Sequence, residues 1–153
     1  MLMIEDTKDM NAHNDSCIWS ALEKIKNSQD KAAYLRSTCK LIEAPAFNTI
    51  PFILQTQKGE PFFTWAKAGK PDCFATIFFK VIKLDRETGC VTLRLLRPNK
   101  CIWDNELNGV RFRRICEVDY VTESDEGVTI DPTNFSAIKC FDPTFVKEEE
   151  DLN

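Results

Sequence analysis

Seven cysteines are the residues of this chain best equipped for chemistry: Cys17, Cys39, Cys73, Cys90, Cys101, Cys116 and Cys140. A thiolate can ligate a metal, attack an electrophile or exchange into a disulfide. Spacing discriminates among the three. Zinc sites bring ligands in close pairs such as C-x-x-C, and here no two cysteines stand closer than 11 residues. A cysteine nucleophile wants a basic partner, and the one histidine, His13, lies in a polar N-terminal stretch. Two readings stay open: reduced thiols that serve as small buried hydrophobes, and disulfides. An odd count leaves at least one thiol without a partner inside the chain, so a bond between subunits or a free thiol is required.

Other chemistries find less support. With five glycines the chain has no G-x-G-x-x-G and no Walker A loop. Asp and Glu are plentiful, but no pair has a spacing that singles it out for two-carboxylate hydrolysis. Arg111-Phe112-Arg113-Arg114 imitates a nucleic-acid patch, yet the net charge of −4 argues against a general nucleic-acid binder. No enzymatic activity, cofactor or metal site is expected.

The elements that must position these residues come next. At 153 residues, 43% hydrophobic and 29% charged, the chain has the makings of one folded domain. Met1-Leu-Met-Ile is apolar for only four residues, so neither an export signal nor a membrane helix is expected, and synthesis in a cytoplasm is. Residues 1–14 read as a flexible N-terminus, 15–146 as a single domain, and 147–153 as an acidic flexible tail. Asp15 or Ser16 can cap a helix over 15–38, with Ile18, Trp19, Leu22 and Ile25 on one face. From residue 48 the pattern turns to strands. Short runs around Phe52, Phe62, Cys73–Leu84, Cys90–Arg97, Arg111–Tyr120, Val128–Ile130 and Phe135–Phe141 predict a mainly β fold: a compact antiparallel β-sandwich of six to seven short strands over 48–141, preceded by an amphipathic helix. Phe74, Ile77, Phe79, Leu93 and Leu95 are expected in one core.

Charge is unevenly placed. Residues 80–114 carry nine basic and four acidic groups, whereas 115–153 carry two and eleven. Either antiparallel neighbours neutralise one another within a subunit, or the basic segment of one subunit meets the acidic segment of the next. On the second reading Arg97, Arg111 and Arg113 face Glu117, Asp119, Glu123 and Asp125 across a subunit interface.

Four blocks carry a resemblance to a known family. They are Ser16-Cys17 with Ser37-Thr-Cys39-Lys-Leu-Ile, then Asn48-Thr-Ile-Pro-Phe-Ile-Leu, then Cys73-Phe-Ala-Thr-Ile-Phe-Phe-Lys-Val with Gly89-Cys90-Val-Thr-Leu-Arg-Leu-Leu-Arg-Pro98. The fourth is Cys116-Glu-Val with Phe135-Ser-Ala-Ile-Lys-Cys140-Phe-Asp-Pro-Thr-Phe-Val. In order and spacing they resemble the cysteine-rich spore coat family of coat proteins Y and Z and the related exosporium basal-layer protein, over roughly residues 16–146. Departures are visible. The chain has fewer cysteines than such proteins, with Arg36 or a neighbour, Gly127, Asn134 and Ser136 standing where they carry one.

The resemblance implies a structural protein of the endospore surface, in the outer coat, crust or exosporium base. It would be made in the mother-cell cytoplasm, assemble with itself into a sheet or ring lattice, and be hardened by disulfides. Other coat or exosporium proteins would be its partners. A non-lattice adaptor that anchors other coat components is the alternative. Cys17 and Cys39, which flank the helix, and Cys101 are the candidates for bonds between subunits. Cys73, Cys90, Cys116 and Cys140 fall in expected strands and are the candidates for buried or structural roles.

Overall fold

The computed structural model describes residues 16–38 and 48–148. The stretch 1–14, Cys39 and the acidic end from residue 149 lie outside the described residues. In chain order the elements are α1 (Cys17–Thr38), β1 (Phe52–Thr56), β2 (Thr64–Ala66), β3 (Phe74–Thr76), β4 (Phe78–Leu84), β5 (Val91–Pro98), β6 (Trp103–Asp104), β7 (Gly109–Val110), α2 (Phe112–Cys116), β8 (Val121–Ile130) and β9 (Phe135–Cys140). The fold is mainly β, as the strand pattern predicts. One five-stranded sheet runs β8-β5-β4-β1-β9 with every neighbouring pair antiparallel, and the ribbons β2-β3 and β6-β7 accompany it.

Helix α1 starts where Ser16 Oγ accepts the Trp19 N–H at 3.2 Å, which satisfies one of the orphan donors of the first turn. Ile18, Trp19, Leu22, Ile25 and Ala32 form its buried stripe. Of these, Ile18, Trp19, Leu22 and Ile25 pack on one face of the sheet with Phe52, Leu54, Phe79, Val81, Leu93 and Leu95. A buried polar residue, Gln29, shares it.

The opposite face is covered too. Ile77, Phe78, Leu96, Ile102 and Val121 make a second buried cluster, closed over by Phe141, Phe145, Val110 and Ile115. Adjacent rungs show why: Phe78 pairs Leu96 and Phe79 pairs Leu95, so successive residues point to opposite faces and all four are buried. The single expected core is therefore corrected to two. Phe79, Leu93 and Leu95 lie under the helix with Phe74 packed against them, while Ile77 belongs to the other face.

Two further readings are corrected. Phe112 to Cys116 form a short helix and not a strand. Alternation would have sent Phe112 inward, and instead the residue is 78% exposed while Ile115 and Val118, three residues apart, pack on the second cluster. The strand expected at Val128–Ile130 begins seven residues earlier, at Val121. Its polar first half pairs with β5 through Leu96↔Glu123 and Arg97↔Thr122.

Candidate functional site

The six described cysteines form no disulfide with one another. Cys17 opens α1 and is exposed. Cys73 precedes β3, Cys101 lies between β5 and β6, Cys116 ends α2 and Cys140 ends β9; all four are exposed. Cys90 is half-buried in the turn before β5, where its N–H donates to Thr88 Oγ1 at 3.2 Å. The expectation of burial is thus corrected for Cys73, Cys116 and Cys140, which are exposed, while Cys90 is half-buried. Each sits at an element end or outside one, where the side chain escapes the alternation that buries strand interiors. Cys140 closes an edge strand whose last two residues both face out. Protein around it still withholds water, which disfavours the thiolate and raises its pKa above the ordinary thiol value.

Most of the charges expected at an interface are engaged within the subunit. The Arg97 guanidinium sits 5.3 Å from the centroid of the Phe74 ring, in cation–π range. Asp119 receives Lys100 Nζ at 3.2 Å, and that bond, followed by one from Asn99, holds its carboxyl below the usual range. Glu123 receives Lys80 and Arg94, each at 3.4 Å. Arg111 reaches Asp104 at 3.0 Å. Among the described residues, Arg113, Glu117 and Asp125 make no ion pair within 4.0 Å.

Asp104 escapes the sequence reading and anchors this region. It is buried, and Oδ1 accepts the N–H groups of Glu106 at 2.8 Å and Leu107 at 3.3 Å while Oδ2 takes Arg111. Burial opposes its ionisation, but the two backbone donors and the guanidinium outweigh it and keep the pKa low. A signal for the hairpin it anchors was present in Asn108-Gly109: Asn108 takes φ 50° as the last residue of the four-residue connection 105–108, and Gly109 opens β7 opposite Asp104.

Three cavities accompany these groups. An apolar groove of about 340 Å³ is lined by Phe63, Trp65, Cys73, Phe74, Ala75, Cys101 and Trp103. A polar one of about 330 Å³ lies beyond Cys73 and Cys101, toward Arg97, Lys100 and Tyr120. A third, of about 500 Å³, runs from Trp65 to Asp125 and Glu126. None sets a nucleophile beside a base with a third group to orient it. No cluster of three or more metal-ligating side chains occurs among the described residues, and no described helix is long and apolar enough to cross a membrane.

Comparison with known proteins adds two matches. A family model described as Spore coat protein Z matches residues 5–143. Spore coat protein Z of Bacillus subtilis (strain 168) is 26% identical over 148 residues, covering 90% of this chain and 96% of the relative. No solved structure matches.

Proposed function

The chain belongs to the spore coat protein Z family, and from that membership we propose that it is a structural protein of the bacterial endospore surface that assembles with its own copies into a sheet or ring lattice held by disulfides. Family membership supports a place in the spore coat. The observation that carries the finer reading is the display of thiols: Cys17, Cys116 and Cys140 are exposed on three separate elements. Thiols spread over a surface can bond in several directions at once, as a two-dimensional network needs, whereas a catalytic thiol needs a convergent base. The protein acts as building material and not as an enzyme, in the outer coat, crust or exosporium base. It is made in the mother cell and hardened once lysis exposes the layer to oxidising surroundings.

Apolar contacts and disulfides supply the holding power, and charge sets encounter and register. Of the charges expected at an interface, Arg113, Glu117 and Asp125 stay available to a neighbouring subunit, and the exposed Phe112 gives the surface around Arg113 an apolar element. Sedimentation of the purified protein, followed by non-reducing gels, tests the reading. Large species that resist denaturant until reductant is added support it. Monomers under every redox condition favour the alternative, an adaptor that anchors other coat proteins without a lattice.

A further inference from the structure

We propose that Cys73 and Cys101 form a disulfide within the subunit, which ties the β2-β3 ribbon to the loop leading into the β6-β7 hairpin. Three observations converge on the pair. Thr76 Oγ1 donates to the Leu96 carbonyl at 2.5 Å, and Arg97 lies over the ring of Phe74. The chain leading back from Thr76 to Cys73 therefore runs beside the chain leading forward from Leu96 to Cys101. Independently, Cys73, Phe74, Ala75 and Cys101 line both the apolar groove and the polar one, so they make up the wall the two cavities share. Both thiols are exposed, and neither lies inside a strand or helix that would have to break to bring them together.

The chemistry needs an electron acceptor, and a small disulfide such as oxidised glutathione serves. One cysteine thiolate attacks a sulfur of that disulfide, the S–S bond breaks, and one glutathione thiolate leaves. The second cysteine thiolate then attacks the protein sulfur of the mixed disulfide and expels the other glutathione. Two S–H bonds are lost from the protein and one S–S bond is gained. The electron pair and both protons end on two molecules of reduced glutathione. The bond withdraws Cys73 and Cys101 from the pool available between subunits. It depends on this subunit's fold alone, so it forms whether or not a lattice does.

The test uses the full-length protein, reduced and then equilibrated with oxidised and reduced glutathione at about 1 μM protein. Remaining thiols are alkylated, and the digest is read by mass spectrometry. Tethered groups meet at effective concentrations on the order of mM, so the bond within the chain should exceed any between chains by roughly a thousandfold at this dilution. The expected result is a Cys73–Cys101 linked peptide pair two hydrogens lighter than its reduced halves. In an equal mixture of isotope-labelled and unlabelled protein, every linked pair should carry one label pattern. Cys73→Ser should leave Cys101 capped by glutathione, and Cys101→Ser should do the same to Cys73. Alkylated or separately glutathionylated Cys73 and Cys101 in the unsubstituted protein, or linked pairs of mixed label, would overturn the assignment.

Discussion

The Gln29 side-chain amide of α1 donates to the Val81 carbonyl of β4 at 3.1 Å, while its oxygen accepts the Ile50 N–H at 2.9 Å. The register of β4 against β5 slips between Val81 and Lys83, so this carbonyl lies at an irregularity of the ladder. One buried side chain thus satisfies two main-chain groups and fastens the helix to the sheet. Gln29→Ala should cost about 2–4 kcal/mol, because both groups lose their partner under the helix. Denaturant titration reads this as a lower midpoint; a change under about 0.5 kcal/mol would mean water replaces the amide.

Gly127 marks the opposite edge of the sheet. A Cβ built on it would lie 2.8 Å from the Leu93 carbonyl, closer than side chains come to backbone. Gly127→Ala should therefore destabilise by about 1–3 kcal/mol, through overpacking. Gly127→Cys, which would restore the residue type the resemblance places there, should cost at least as much. Stability unchanged in both variants would show that β8 shifts freely at this point.

Five aspartates, Asp72, Asp85, Asp104, Asp119 and Asp142, have carboxyl pKa values lowered in the folded chain. For Asp72 the Lys67 ammonium leads; for Asp85 and Asp142, backbone N–H donors do. A depressed folded pKa gives stability that is complete above the unfolded value of about 3.9 and is lost as pH falls through the folded one. Thermal midpoints should fall below about pH 4, and Asp104→Asn should shallow that descent. A midpoint insensitive to acid would contradict these assignments.

The thiols outside the groove wall make a prediction about cross-linking. Replacing Cys17, Cys39, Cys116 and Cys140 together by serine should abolish the ladder on non-reducing gels. The Cys73→Ser, Cys101→Ser double variant should keep it. The opposite pattern would move the bonds between subunits to the wall between the grooves.

Much of this fold was legible in the residues and some was not, for physical reasons. The stripe Ile18, Trp19, Leu22 and Ile25 is long and periodic, and the apolar run Ile77-Phe78-Phe79 announces a strand covered on both faces. Thr122-Glu-Ser-Asp-Glu-Gly127 hides an edge strand, since alternate residues face solvent and no apolar run betrays it. Phe112 to Cys116 is too short for a period of two to be told from 3.6. The cysteine positions were plain, but their exposure was not. Strand ends fell one residue away, leaving Cys73 and Cys90 just outside β3 and β5. Cys73 and Cys101 share a wall only because β3 runs beside β5, a tertiary fact no local pattern contains.

Electron microscopy of the purified protein under oxidising conditions, with a reduced sample beside it, tests the central claim most directly. Extended sheets or rings with a regular repeat, resistant to denaturant until reductant is added, are the predicted result. Isolated particles of single-subunit size in both samples, at concentrations where the unsubstituted protein is folded, would contradict it.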